Sequence, residues 1–306
     1  MTVSSARSSR RSAAEPRWAT PRTGRAHLAD QMAVVARALG FRGGLMGWQH
    51  GTLAVVTEHV AEVPAYREAT IILPRQQGKT RGVVLPYMVT RALREDGCQI
   101  AYTAQTRLDA RHRLLDVFYP LIAASPLRRL ADDRRGSGSE AIVFANGSMI
   151  FLVSGTQTSG HGDTTDAAVI DEGWSQKDSH VETAVKPSMV TRPGAQLLVV
   201  SCAGNEDSAY LDTKMDEGRA RAEMGVTDTA AYVEYSAPDD ADPSDEETWW
   251  GCMPALGHTI GVETVRADYE TMKRADFRRS YLCQRPAVAD PGWKFFSEAD
   301  WEEATR

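Results

Sequence analysis

Cysteine is scarce in this chain. Cys98, Cys202, Cys252 and Cys283 are scattered over 306 positions without a Cys-x-x-Cys pair. That spacing excludes the usual zinc ligand sets and a disulfide-framed scaffold, and it fits a reduced, cytosolic compartment. Long hydrophobic runs are missing as well. No stretch approaches the roughly 20 apolar residues that span a bilayer, so a soluble protein with no membrane partner is expected. The N-terminus lacks the apolar core of a secretory signal. Positive charge is not in excess either. A formal net charge of -6 argues against a surface that coats nucleic acid wholesale, while leaving room for a local basic channel.

What is present has ordinary globular proportions, 42% hydrophobic and 25% charged, in a length that suits one large domain or two small ones. The organising stretch runs from Ala69 to Thr80. Ile71, Ile72 and Leu73 read as the end of a buried strand, Pro74 and Gly78 as a turn, and Lys79 and Thr80 as the start of a helix. This is the layout of a phosphate-binding loop, in which backbone N–H groups and a helix N-terminus surround an anion. A Lys neutralises the outer phosphates and a Thr hydroxyl reaches Mg²⁺. The glycine rule is met only in part, since Leu73 stands where the strict pattern has its first Gly.

The second decisive stretch is Ala167-Ala168-Val169-Ile170-Asp171-Glu172. Small and apolar residues form a buried parallel strand with two carboxylates at its C-terminal end. Asp171 is suited to hold the Mg²⁺ shell, and Glu172 to align and deprotonate an attacking water. The two stretches are expected to face each other across neighbouring parallel strand tips, where open α/β sheets place their ligands.

Around them the pattern is coarser. Residues 1–25 are rich in Ser, Ala and Arg without periodicity and read as a disordered basic arm, tethering or merely solvated. Helices are expected at Ala26–Leu39, from Leu45 to about Val60, and at Arg81–Leu93 with a kink at Pro86. Gln49, beside Trp48, has an amide that can both accept and donate, as an adenine edge requires, although a packing role fits it equally. Gln99–Thr103 reads as a strand, and the helix after it carries Arg107, Arg111 and Arg113, which suit either a phosphate backbone or an exposed face balanced by Asp109 and Asp116. Leu127–Gly138 reads as a charged loop, and Asn146-Gly147 as a two-residue hairpin turn. Gln196–Val200 is a further buried strand. It ends in Ser201-Cys202-Ala203-Gly204, which either senses the γ-phosphate or simply makes a tight turn. Helices are expected over Ala209–Met224, Val262–Arg274 and Asp276–Gln284, and the chain ends in aromatics, Trp293, Phe295, Phe296 and Trp301.

From Leu45 onward this combination resembles the large terminase subunit of tailed bacteriophages, the ATPase motor that packages DNA. Trp48-Gln49, Pro74-Arg75-Gln76-Gln77-Gly78-Lys79-Thr80, Thr103-Ala104-Gln105-Thr106, the Asn146-Gly147 hairpin, Val169-Ile170-Asp171-Glu172 and Ser201-Cys202-Ala203-Gly204 carry the likeness. The resemblance implies an α/β P-loop NTPase of the ASCE/RecA-like kind, with a mainly parallel central sheet flanked by helices. It divides the chain into a core over 26–235 and a lid or linker over 236–306, leading to a nuclease domain that lies beyond this sequence. It implies that Gln49 and Arg75 to Thr80 bind ATP, that Arg75 responds to hydrolysis, and that Thr80 and Asp171 hold Mg²⁺. Glu172 is then the base, and Ser201 to Gly204 couple hydrolysis to movement.

The implied partners are double-stranded DNA, the portal protein of the procapsid, the small terminase subunit and further copies of the chain in a ring, in the host bacterial cytoplasm at the portal. The family often carries a trans-acting Arg before a Gly upstream of the Asp-Glu strand. Here that place reads His161-Gly162, which leaves Arg107, Arg111, Arg134 and Arg135 as candidates. A helicase or translocase fragment of another P-loop family, and a nucleotide-gated docking module with little turnover, share the central motifs.

Overall fold

The structure, a computed structural model, describes residues 14–153 and 164–285. The elements run β1 (Trp18–Ala19), β2 (Ala26–His27), α1 (Ala29–Ala38), α2 (Gly47–Val56), β3 (Glu58–Val60), β4 (Val63–Pro64) and β5 (Glu68–Ile72). A π-helical segment, Thr80–Val84, continues into α3 (Leu85–Arg94), followed by β6 (Gln99–Thr103) and α4 (Arg107–His112). A second π-helical segment, Arg113–Phe118, joins α4 to α5 (Tyr119–Ala123). Then come β7 (Ala131–Arg134), β8 (Ala141–Phe144), β9 (Met149–Leu152) and β10 (Ala167–Asp171). The remainder is α6 (His180–Val185), β11 (Gln196–Ser201), α7 (Ala209–Glu223), β12 (Ala230–Glu234), α8 (Glu246–Cys252), α9 (Val262–Thr271) and α10 (Arg274–Tyr281).

Nine strands form one sheet in the order β1-β12-β5-β11-β10-β6-β9-β8-β7, and β2, β3 and β4 form a small separate sheet. The six strands from β12 to β9 are mutually parallel, with antiparallel strands added at both edges. The central strands are apolar on both faces because helices cover both. Along β11, Leu198 and Val200 enter the core under α1 to α3, whereas Leu197 and Val199 pack with Val181, Val185 and Met189 on the other face. That alternation is the period of two that a pleated strand imposes. The C-terminal helices α8 to α10 have a core of their own, centred on Trp249, Val265, Phe277 and Leu282.

Several expectations change. The phosphate loop and the Asp-Glu pair do not sit on neighbouring strands, because β11 is inserted between β5 and β10. The expected arm divides: 1–13 lie outside the described residues, while Trp18–Ala19 pairs antiparallel with β12 and Thr20 is buried. Burial and pairing take over where helical periodicity is lacking. The first expected helix starts only at Ala29, and the second stops at Val56, so that Glu58–Val60 can pair as a strand. Pro86 lies two residues into α3, directly after the π-helical segment Thr80–Val84, a local widening of the kind that accommodates a proline inside a continuous helical run.

The charged loop contains the edge strand β7, whose Asp132, Asp133 and Arg134 break the apolar pattern that a central strand requires. The hairpin loop holds three residues rather than two. Phe144 N–H donates to Ser148 at 2.8 Å and Gly147 N–H to Phe144 at 3.0 Å, with Gly147 at φ 83°. The Asn146 amide donates to Ala92 O at 2.8 Å and so ties the turn to α3. His161 and the terminal aromatics lie outside the described residues, within which no helix is long and apolar enough to cross a membrane.

One buried charge fastens α7 to the sheet. Glu234, fully buried on β12, accepts from Arg219 Nε at 2.8 Å and Nη2 at 2.7 Å, and also from the Tyr232 and Ser236 hydroxyls. Burial alone raises its pKa, but the Arg219 fork and the two hydroxyls outweigh that and hold it below the usual carboxylate value of 4.5. A depressed folded-state pKa gives stability that is complete above the unfolded value and is lost as pH falls through the folded one. Glu234→Ala should therefore cost about 3–5 kcal/mol in urea unfolding at neutral pH, because Arg219 is left unpaired. That cost should shrink as the pH falls below about 4. A deficit that does not change with pH would show that lost packing, not charge, is responsible.

Candidate functional site

Sequence and sheet order together decide how the site is built. Leu73, in the place of the first glycine, continues the β5 ladder by donating its N–H to Ser201 O at 3.0 Å. The loop then turns through Gln76 at φ 63° and Gly78 at φ 85°, and the helical run begins at Lys79 and Thr80. The second carboxylate, Glu172, ends β10 in the left-handed region at φ 64°. From there its side chain meets Lys79 Nζ at 3.1 Å, in front of the tip of β11. Thr80 Oγ1 donates to Asp171 Oδ1 at 3.4 Å. The four residues that the sequence singled out on two separate stretches thus converge in one place.

Two further groups complete the cluster. Arg113 Nη1 donates to Asp171 Oδ2 at 2.6 Å, and its Nη2 lies 3.6 Å from Glu172 Oε1. The Tyr102 hydroxyl donates to Asp171 Oδ2 at 3.2 Å. Arg113 therefore turns inward to the carboxylates rather than outward to a phosphate backbone. Both π-helical segments start at residues that touch Asp171, Thr80 in one and Arg113 in the other, and such turns are frequent at functional sites. Arg107 and Arg111 pair with Glu140 at 2.6 and 3.7 Å, and Arg135 with Asp116 and Asp133 at 3.1 and 2.5 Å. Of the four arginines named for a trans-acting role, Arg134 alone has no ion pair among the described residues.

The electrostatics follow from burial and pairing. Burial lowers the Lys79 pKa, but the negative groups around it, Glu172 first and Asp171 with it, together outweigh burial and hold the ammonium above its ordinary value. Burial raises that of Glu172, but Lys79, Arg113 and the Trp174 indole together outweigh it and keep the carboxylate below its ordinary value. For Asp171 burial prevails: its pKa is raised, with Arg113 opposing the rise and Glu172 adding to it. Asp171 with the Thr80 hydroxyl offers hard oxygen donors facing each other, the kind a divalent cation would take. Among the described residues no cluster of three or more His, Cys, Asp or Glu forms a metal cage. Mg²⁺ needs none where one carboxylate, one hydroxyl, substrate phosphates and water complete its octahedron.

The remaining named residues hold the loop itself. Gln49 Oε1 accepts from Met46 N–H at 2.9 Å and its Nε2 donates to Gly78 O at 3.3 Å, which occupies one acceptor and one donor of the amide. The same amide lies where a side chain at position 82 would go, since a Cβ on Gly82 would stand 2.0 Å from Nε2. Gln77 is fully buried; its Nε2 donates to Arg75 O at 3.0 Å and its Oε1 accepts from Ala255 N–H at 2.8 Å. Arg75 N–H donates to Ser280 O at 2.8 Å, and its guanidinium lies 5.4 Å from the centre of the Trp174 ring. Ser201 Oγ accepts from Trp174 N–H at 2.9 Å, and Ala203 N–H donates to Cys283 Sγ at 3.0 Å. Cys202 and Gly204 complete that stretch at the tip of β11.

Sequence reasoning missed Tyr102, Trp174 and the inward role of Arg113. Their common signal is position. Tyr102 sits near the C-terminal end of a central strand and Trp174 follows directly on the Asp-Glu strand, while Arg113 lies one helix beyond such a strand. Arg113→Met should lower unfolding stability by about 3 kcal/mol, because Asp171 stays buried without its cation. Arg113→Lys, which keeps the charge but not the fork, should lose less. Equal urea midpoints for the three proteins would show that Arg113 does not balance Asp171.

No protein-family model matches the chain, and no curated protein matches it. Solved structures do. The large terminase of bacteriophage HK97 superposes with a TM-score of 0.71 at 18% identity, over 85% of this chain and 56% of that one. The large terminase ATPase domain of Thermus phage P74-26 superposes with a TM-score of 0.53 at 16% identity, over 85% of this chain and 99% of that domain. The chain thus spans a little over half the length of the HK97 protein, as a nearly whole counterpart of the isolated P74-26 domain. The sheet is mainly parallel, with the Pro74–Thr80 loop following β5 and the Asp-Glu pair at the end of β10, and the chain has the α/β fold of those two terminase structures.

Proposed function

We propose that this chain is the ATPase part of a phage DNA-packaging motor, coupling ATP hydrolysis to movement of double-stranded DNA into a procapsid. The observation that carries the reading is the 3.1 Å contact between Lys79 and Glu172, with Thr80 and Asp171 beside it. A cation for the outer phosphates, a hydroxyl and carboxylate for Mg²⁺ and a carboxylate for the attacking water meet there on a terminase-like sheet.

The roles follow from charge. Lys79 exchanges Glu172 for the β- and γ-phosphates, while the backbone N–H groups from Gln76 to Thr80 surround the anion. Thr80 and Asp171 would hold Mg²⁺, which would neutralise charge on the phosphate oxygens. Glu172, released from Lys79, orients the water and accepts its proton. Arg75 reaches the phosphates from the ring of Trp174, and Gln49 links the loop to α2 and offers its remaining N–H to a base. Ser201 to Gly204, on the strand between the two halves of the site, carry the change outward. DNA is gripped mainly through its phosphates, since a packaging motor must tolerate any sequence. Further copies in a ring, the portal protein and the small terminase subunit complete the assembly at the portal.

Lys79→Ala should abolish ATP binding or turnover, and near-normal ATPase activity would remove the site from consideration. Glu172→Gln should keep Mg²⁺-dependent ATP binding and lose on the order of 10²–10⁴ in hydrolysis rate. Loss of binding instead would make Glu172 a structural residue. Turnover measured with and without duplex DNA over a range of protein concentrations tests the motor. It should rise with both, and turnover per chain that ignores both would favour a nucleotide-gated docking module.

A further inference from the structure

Trp174 touches Glu172, Ser201, the start of α7, Arg75 and Arg279. Its indole Nε1–H donates to Glu172 Oε2 at 2.9 Å, on the oxygen that Lys79 does not take. Its backbone N–H donates to Ser201 Oγ at 2.9 Å, and its carbonyl accepts from Ser208 Oγ at 2.7 Å, at the start of α7. Two guanidiniums lie within cation–π range of its ring: Arg75 from the phosphate loop at 5.4 Å and Arg279 from α10 at 5.9 Å. The ring is half-buried against the core formed by Ile72, Cys202, Leu211 and Met215. One residue therefore joins these parts, its indole reaching Glu172, Arg75 and Arg279 and its backbone reaching Ser201 and the start of α7.

Glu172 needs such support. It stands in a left-handed backbone conformation that a non-glycine residue adopts only when its surroundings insist, and its carboxylate has several staggered positions to choose from. With Lys79 on one oxygen and the Trp174 indole on the other, both ends of the carboxylate are fixed. When phosphates draw Lys79 away, the indole bond and Arg113 remain. The geometry points to Trp174 as a positioning residue: it fixes the Glu172 carboxylate for water activation, and because its ring also carries Arg279, that position depends on where α10 sits. This rests on the reading of Glu172 as the base.

The contact with α10 gives the device a direction. Arg75 N–H is bonded to Ser280 O, one residue after Arg279, so α10 holds the phosphate loop by its backbone and Trp174 by a side chain. A shift of α10 moves the ring of Trp174, the indole N–H moves with it, and the carboxylate follows. Phosphate binding, which pulls Arg75 from the same ring, acts on the same lever from the other end.

Trp174→Phe keeps a ring for the arginines and removes the indole donor. It should lower kcat for ATP about tenfold or more, the cost of a misplaced catalytic group. KM for ATP should stay within about twofold, since the phosphates lose no contact. A merely structural tryptophan would instead change thermal stability with kcat intact, and that result would overturn the assignment. The link to α10 is read by a cycle: Arg279→Ala should lower kcat about threefold in the wild-type background and have no effect in Trp174→Leu. Additive losses would break the link, and the phenylalanine variant keeps the first part testable if the leucine variant does not fold. The outcome for Glu172→Gln separates the two readings. If that variant is slow while Trp174→Phe is normal, the base stands and the positioning role fails; if Glu172→Gln turns over normally, the base itself is wrong.

Discussion

The structure turns on two ion pairs at the C-terminal ends of the central strands, one spanning β11 and the other joining the helical run after β6 to the end of β10. Lys79 reaches Glu172 and Arg113 reaches Asp171, two cations against two carboxylates, in a site where Asp171 is fully buried and Lys79 nearly so. Isolated, any one of these charges would pay a desolvation penalty of several kcal/mol. Together they balance, and each leaves its partner exchangeable for a charge of the same sign brought by a ligand. Under the proposed function, phosphate would replace Glu172 at Lys79, and a metal ion would share Asp171 with Arg113. With two cations against two carboxylates the charges sum to zero, and the fold harbours no unpaired charge there.

The sheet order is what makes this spacing possible. If β5 and β10 were adjacent, the turn after one would crowd the turn after the other. With β11 inserted, the loop and the Asp-Glu pair stand a strand's width apart, with the tip of β11 between them. Leu73 N–H donating to Ser201 O and Glu172 N–H donating to Val200 O, at 3.0 and 2.8 Å, tie both sides to that tip. A change at Ser201 to Gly204 is therefore felt by both halves of the site, and this gives the stretch a physical basis for coupling.

Much of this was legible in the residues. Apolar runs such as Ala167–Ile170 and Gln196–Val200 announce buried strands, and the Gly78-Lys79-Thr80 and Asp171-Glu172 stretches announce their chemistry, because both depend on local composition. What was not legible depends on tertiary context. Nothing in the sequence of β11 says that it lies between β5 and β10, since strand order in a parallel sheet leaves no local trace. β7 was hidden because an edge strand can be charged, and Ala131-Asp132-Asp133-Arg134 reads as a loop to any periodicity test. Arg113 was hidden by its neighbours: Arg107 and Arg111 answer to Glu140, and only the turn introduced by the π-helical segment sends Arg113 elsewhere. The start of the chain looked unstructured because two residues, Trp18 and Ala19, suffice to pair with β12.

The C-terminal helical unit reads differently once the polar atoms of the phosphate loop are followed to their partners. A loop that cradles an anion must keep its N–H groups free for the ligand, yet its other polar atoms need partners if they are buried. Here Arg75 N–H finds Ser280 O, while the fully buried Gln77 side chain bridges Arg75 O and Ala255 N–H. Both outside partners belong to the segment that follows β12. The loop is thus held from the far side by helices with their own core, and it cannot change shape without disturbing them. A second restraint, the strained backbone at Glu172, faces the loop across β11 and is held by Ser175 and Trp174. A glycine there would relax the backbone at once, but it would carry no carboxylate. The left-handed turn is the cost, of order 1 kcal/mol or more, of placing a side chain where the strand has already ended. That cost is borne because the lysine, the indole and the serine all hold one residue in place.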